Sequence, residues 1–322
     1  MDGPTFTDIE VRTELSAQDF VSDYLKPQRP VIIREGARNW PATQKWTPDW
    51  FASTYPEIKV PIAVGPRRRI SRYEQMTLSQ FVAEMKSSKE HMYLRQFDIF
   101  RLLPQLLQSL PHSIYCPTDR ELVRNFWMGM NTIQPLHYDA HRRVLGTCNL
   151  FAQICGTKRI ILASPQQTPF LYERTGEDLD YHLSQVDIEA PDLRRFPLVR
   201  KATLHTGEVT GGDLLFVPLN YWHFMQSLGA SISVSFWWHP LEASHLAYQL
   251  LKLADDPQQA LRFAQEHAGV VTRREIEELG GIDELRLGLR SVPDHVRNLL
   301  ALLFDKDVQA SLKAPVGHWF AR

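Results

Sequence analysis

Cysteine is scarce in this chain. Cys116, Cys148 and Cys155 are its only thiols, an odd number with no C-x-x-C pair. That argues against a disulfide framework and for a reducing compartment. Charge of one sign is also missing: 36 Lys and Arg face 37 Asp and Glu, for a net charge of -1. Bulk attraction to nucleic acid or to an anionic membrane is therefore not expected. No apolar run reaches membrane-spanning length. The N-terminus, Met1-Asp2-Gly3-Pro4-Thr5, lacks the basic and apolar regions of a secretory leader. These absences point to the cytoplasm, or in a eukaryote also the nucleus. Internal repeats and low-complexity linkers are absent as well. What remains is 43% apolar and 23% charged residues, the composition of a globular protein with a sizeable core.

The chain changes character near Pro240. After it, from Glu242 to Leu312, the pattern is helical, broken at Asp255-Asp256-Pro257 and Gly280-Gly281. Before it, short β-rich runs alternate with turn signals. Helices are predicted over Phe20 to Tyr24, Pro48 to Tyr55 and Leu78 to Met85, with Thr47 capping the second and Pro48 at its first position. Pro30 to Arg34 and Lys59 to Val64 read as strands, Pro61 pushing the latter toward an edge. In the run Asn149 to Cys155, Asn149, Phe151, Gln153 and Cys155 share one face. Gly156-Thr157 fits a two-residue hairpin turn, which would make Cys155 and Lys158 cross-strand neighbours and point Asn149 and Lys158 the same way. Asp213 to Val217 is an apolar strand after Gly211-Gly212. Ser231, Ser233, Ser235 and Trp237 alternate with Ile232, Val234 and Phe236, suggesting a face that lines a polar cavity. Short antiparallel strands around a polar interior predict a mostly β fold, a small barrel or jelly roll with helices outside it.

His137 and Asp139, one residue apart, are answered by His223 within Pro218-Leu219-Asn220-Tyr221-Trp222-His223. Two imidazoles and a carboxylate form a facial set for a redox-active divalent metal, typically Fe(II), with coordination positions left open for oxygen chemistry. A single His-x-Asp is common without a metal, but three features single this one out. Residues two apart on a strand share a face. His223 follows a turn, an apolar strand and Pro218, placing it just past a strand end. Lys158 is expected to face inward, where it needs an anionic partner or loses its proton; an acidic cosubstrate would be that partner.

The constellation resembles the jumonji-C family of cupin-fold dioxygenases. The resemblance runs from roughly Phe20 to Pro240, through Pro30-Val31-Ile32-Ile33, Tyr93-Leu94, Leu136-His137-Tyr138-Asp139, Gly156-Thr157-Lys158 and Ser233-Val234-Ser235-Phe236-Trp237-Trp238. Within the family it is most like the small hydroxylases. Ser184-Gln185-Val186-Asp187 and Arg195-Phe196-Pro197 are similar to the asparaginyl hydroxylase that inhibits hypoxia-inducible factor. Tyr93-Leu94-Arg95-Gln96 and Ser233 to Trp238 are more like the arginyl hydroxylase branch, and a tRNA-wybutosine hydroxylase is also related.

The resemblance implies a double-stranded β-helix core with N-terminal α/β elements in residues 1–240, and a C-terminal helical segment in 241–322. It implies Fe(II) on His137, Asp139 and His223, with 2-oxoglutarate and molecular oxygen as cosubstrates. Lys158 would bind the distal carboxylate of 2-oxoglutarate, and Tyr93 would support it. Asn149, Gln134 and Ser235 would line the pocket, and Trp237 would pack beside the iron. Gln134 stands where relatives carry Thr or Ser. The expected substrate is a protein or peptide side chain. The alternatives are a tRNA nucleoside or small molecule at the same site, or an inactive cupin used for binding. Lysine demethylation ranks lower, because chromatin-reader domains have no room beside the core. By analogy with the asparaginyl hydroxylases, the C-terminal helices would form a homodimer.

About six residues, Arg143 to Cys148, are extra relative to the family pattern. They read as a tolerated loop at the mouth of the site. Arg67-Arg68-Arg69 with Arg72 reads as a solvated hairpin tip. His141, His182, His205 and His239 have no metal-binding spacing and read as surface or core polar residues. Val296, Leu299, Leu300 and Leu303 form one apolar helix face.

Overall fold

Period-two patterning organises the chain as far as Trp238. The computed structural model describes residues 3–66, 69–116, 121–139, 146–174, 182–253, 255–278 and 294–313. Its strands are β1 (Thr5–Asp8), β2 (Glu10–Arg12), β3 (Val31–Ile33), β4 (Lys59–Gly65), β5 (Arg72–Thr77) and β6 (His91–Phe97), then β7 (Glu121–Met130), β8 (Ile133–His137), β9 (Cys148–Ala163), β10 (Thr203–Thr210), β11 (Leu214–Val217) and β12 (Trp222–Trp238). They hydrogen-bond in the order β2-β3-β11-β9-β12-β7-β6-β4-β5, with β10 joining β1 to β9 and β8 added on β12. Most pairings are antiparallel, and the result is a jelly-roll core with flanking helices. Two compact units divide the chain: Met1–Tyr138 with Cys148–Trp237, and Asp139–Thr147 with Trp238–Arg322.

In the first unit the helices start where the side chains direct. Thr47 Oγ1 accepts from the Trp50 N–H at 3.0 Å, with Pro48 in the first turn. Thr77 and Gln80 form a reciprocal capping box at the head of the Leu78–Ser87 helix. β4 is bonded on both sides, yet it meets β6 only from Ala63 to Gly65. Pro61, which has no N–H to give, lies beyond that ladder.

The hairpin expected at Gly156-Thr157 does not form. β9 is one long strand that pairs with β11 along its first half and with β10 along its second. Gly156 instead takes φ +76, where a Cβ would come 2.0 Å from the Ala230 carbonyl oxygen. It works as a bulge, which reverses the parity of the strand. Odd-numbered Phe151 and even-numbered Ile160 and Leu162 therefore share one apolar cluster, with Val209 and Leu215. The partner strand breaks at the same level, at Gly211 and Gly212. Buried Asp213 holds this corner, accepting from Thr210 N–H and Oγ1–H and from Glu35 N–H. Gly156→Ala is expected to cost at least ~2 kcal/mol of unfolding free energy by urea titration, from left-handed backbone strain plus the displaced Ala230 carbonyl. An unchanged midpoint would mean that the bulge relaxes freely.

The serine row does not face open polar space. Ser231 Oγ accepts from Gln153 Nε2 at 3.0 Å, Ser233 Oγ donates to Gln153 Oε1 at 2.8 Å, and Ser235 Oγ accepts from Trp127 Nε1 at 2.8 Å. One glutamine amide and one indole satisfy three buried hydroxyls, as an apolar interior requires.

In the second unit Val296, Leu300 and Leu303 are buried with Leu246, Leu250 and Ala264, and Leu299 packs against them. The apolar stripe read from sequence is thus covered by the helices Glu242–Lys252 and Pro257–Glu266 of the same chain. Arg67, Arg68, His141, Arg142 and Arg143 fall outside the described residues. Arg72 pairs with Glu74 and Glu90, which raise its pKa.

Candidate metal centre

β8 and β12 bring the two histidines together. His137 and His223 are direct partners across the antiparallel ladder, and their rings lie 4.1 Å apart between centroids. Between this pair and Met225–Gln134 the register slips by one, on the strand that carries Pro135. The strand predicted to run through Asp139 stops at His137, and Asp139 lies in a bend beyond it. Nor is His223 just past a strand end: Asn220, at φ +56, reverses the chain so that His223 is the second residue of β12. Ligand atoms of His137, Asp139 and His223 nevertheless all lie within 4.8 Å of one another.

The imidazoles are set in one tautomer. His137 Nδ1–H donates to the Pro135 carbonyl at 2.7 Å and to the His223 carbonyl at 3.1 Å. His223 Nδ1–H donates to the Tyr221 carbonyl at 3.0 Å. Carbonyls can only accept, so Nδ1 carries a hydrogen in both rings and Nε2 is the nitrogen left to meet a metal. Backbone partners of this kind orient metal-binding histidines. Gln134 Nε2 reaches His137 Nε2 only at 3.5 Å, a marginal contact that a metal would replace.

Lys158 is 3% exposed. It has no carboxylate within 4 Å among the described residues. Its Nζ stands 4.9 Å from the Phe151 ring centroid and 5.9 Å from that of Tyr93. Desolvation lowers its pKa from 10.5 to about 7. Tyr93 pairs with Gly129 across β6 and β7. A Cβ at Gly129 would come 3.0 Å from the Tyr93 ring, so the glycine leaves that ring its space. Burial raises the Tyr93 phenol, opposed by the Arg95 charge and a Thr132 hydrogen bond.

The remaining candidates are placed unequally. Asn149 is buried, and its Oδ1 has no partner among the described residues. Turned over, the same amide offers an N–H donor there. Ser235 is engaged by Trp127. Trp237 packs on the Phe151 cluster, and its Nε1 is buried without a partner among the described residues.

Trp127, Phe151 and Gln153 were not assigned a role by sequence. Trp127 tilts against Tyr93 at 5.8 Å and ties it to Ser235. Reading Asn125-Phe126-Trp127-Met128-Gly129 as alternating would have put Trp127 on the Gly129 face. His182, read as an ordinary polar residue, has its ring 6.3 Å from that of His137. Its carbonyl accepts the Tyr138 N–H.

The donor chemistry fits a divalent metal with an anionic cosubstrate: two imidazole Nε2 atoms and a carboxylate, in a fold that also buries an amine without a counterion and an amide oxygen without a partner among the described residues. A jelly roll with such a set is the architecture of a metal-binding cupin. The family model described as a cupin-like domain matches residues 17–244, and the chain belongs to this family, in its jumonji-C group. It is 32% identical over 232 residues to lysine-specific demethylase 8 of Xenopus tropicalis, covering 69% of this chain and 51% of that protein. It is also 32% identical to lysine-specific demethylase JMJ30 of Arabidopsis thaliana, covering 71% of this chain and 54% of that one. Similarity to the human bifunctional peptidase and (3S)-lysyl hydroxylase JMJD7 is 26%, over 68% and 80%. The chain spans about half the length of the first two. No described helix is long and apolar enough to cross a membrane.

Proposed function

We propose that the chain is an Fe(II)- and 2-oxoglutarate-dependent dioxygenase that hydroxylates a C–H bond on a protein or peptide side chain. One observation carries the reading: two tautomer-fixed histidines and Asp139 converge in the same fold that buries Lys158 without a carboxylate partner among the described residues. The names of the relatives, lysine-specific demethylases and a lysyl hydroxylase, favour a protein substrate.

In this reading His137, Asp139 and His223 hold the iron. Lys158 pairs with the distal carboxylate of 2-oxoglutarate in a charge-assisted bond. Tyr93 and Asn149 supply further hydrogen bonds, Trp237 closes the apolar side, and Gln134 and Ser235 border the pocket. Bound iron, with 2-oxoglutarate and oxygen, supplies insertion of one oxygen atom into a C–H bond, releasing succinate and carbon dioxide. The protein contributes the fixed imidazole tautomers, the buried cation that selects a dicarboxylate, and the exclusion of water by Phe151, Trp127 and Trp237. Residues 1–240 form the catalytic domain and 241–322 the helical segment, with a homodimer through that segment and a cytoplasmic or nuclear location.

Mass spectrometry of lysine- and arginine-containing peptides after incubation with Fe(II), 2-oxoglutarate and oxygen tests the proposal. The expected result is a gain of one oxygen, with succinate formed in step. Loss of a methyl group from methyl-lysine peptides alone would replace hydroxylation by demethylation. Absence of both, with no succinate, would favour a binding protein.

A further inference from the structure

We infer that His239, outside the ligand set, is a positioning residue for Asp139: its imidazole clamps the neck of the loop that Asp139 opens. The inference rests on the metal-binding reading above. Asp139–Thr147 belongs to the same compact unit as Trp238–Arg322. The Asp139 carbonyl accepts from the Thr147 N–H at 3.4 Å, so the segment leaves and returns at one point. That bond is long and holds the neck weakly. The adjacent Gly146 carbonyl is gripped better, accepting from His239 Nδ1–H at 2.9 Å.

His239 is built into its place. It is 1% exposed, and its ring lies 5.3 Å from that of Tyr248 on the following helix. Burial, with the nearby charges of His245 and Lys252, lowers its pKa to about 4, against the raising effect of the Gly146 carbonyl. The ring is therefore neutral, and Nδ1–H is its one donor. Nε2 is buried with no partner among the described residues. An apolar side chain would fill this space without stranding a polar atom. Among the described residues, the bond to Gly146 is the one hydrogen bond that a histidine gains here. A ligand whose flanking backbone is loosely held must be ordered when metal binds. Holding the neck orders Asp139 beforehand.

Mn(II) binding, followed by loss of the free-ion electron paramagnetic resonance signal, separates positioning from mere packing. His239→Phe keeps the buried ring and removes the donor. It is expected to weaken Mn(II) binding about tenfold or more, the scale of losing an outer-shell partner, while the melting temperature stays close to that of the parent. His239→Asn returns an N–H near the Nδ1 position and is expected to restore affinity to within about threefold of the parent. His239→Leu removes the donor with a smaller apolar side chain and is expected to weaken Mn(II) binding as well; it decides the matter if His239→Phe does not fold, parental affinity in it overturning the inference. Folded His239→Phe with parental affinity overturns the inference, as do equal losses in the Phe and Asn variants. A parent chain that binds no Mn(II) overturns the metal-binding reading and this inference with it.

Discussion

Alanine at His137, Asp139 or His223 is expected to bring 2-oxoglutarate turnover to the no-enzyme background, measured as succinate. The three side chains are the only metal-capable cluster among the described residues. Each ligand lost leaves two, too few to hold the metal in an open facial set. Removing an outer-shell partner of a metal site already costs about 10–100-fold, so losing a ligand itself is expected to exceed that range. The histidine variants have a second readout. His137 and His223 are neighbours in the β8–β12 ladder, and each anchors its ring to backbone carbonyls. Asp139 lies beyond the strand, so Asp139→Ala is expected to spare the fold and lose metal alone. Substantial turnover in folded Asp139→Ala would remove this carboxylate from the ligand set.

Lys158→Met is expected to abolish 2-oxoglutarate binding while stabilising the ligand-free protein. A buried amine without a counterion opposes folding, and an apolar chain of similar length does not. The pH dependence has a defined sign. Below about 7 the amine is charged in both the folded and the unfolded chain, and the burial penalty is full. Between about 7 and 10.5 the unfolded chain holds the proton that the folded chain has lost. Stability therefore rises with pH across that window. At about 1.4 kcal/mol per pKa unit the rise is on the order of 5 kcal/mol. Urea titrations of parent and Lys158→Met from pH 7 to 10 should show this rise in the parent and its loss in the variant. Pairing with 2-oxoglutarate returns the charge, so binding at pH 8 to 9 is expected to take up a proton. Calorimetry in buffers of different ionisation enthalpy measures that uptake. Parallel pH profiles in the two proteins would show that Lys158 does not titrate as its burial requires.

How legible the site was depended on the kind of residue. His137 and Asp139 stood out because few residue types bind a metal and only one residue separates them, whereas His223 lies 84 positions beyond Asp139. The inward direction of Lys158 also followed from alternation, but through the wrong device. A hairpin at Gly156 and a bulge at Gly156 both put Asn149 and Lys158 on one face, and a two-residue Gly-Thr signal does not distinguish them. What decides is the partner: β11 pairs with Asn149 to Ala152 and β10 with Thr157 to Leu162 of the same strand, and the Ala230 carbonyl occupies the space a Cβ would need. The serine row was legible as buried and polar, while its partners were not. Gln153 and Trp127 lie about 80 and 108 positions away from the serines they meet.

By itself the sequence determined the chemistry on offer: a mostly β core, three metal-capable side chains, a cation needing an anion, and a helical C-terminal segment. These follow from side-chain type and from periodicities of two and 3.6, which are local properties. Tertiary structure alone decided that His137 stands opposite His223, that Asp139 reaches them from beyond the strand end, and that the helical stripe of Val296, Leu300 and Leu303 is buried within its own chain. Register and burial depend on which distant strand or helix supplies the partner, and no local pattern encodes that choice.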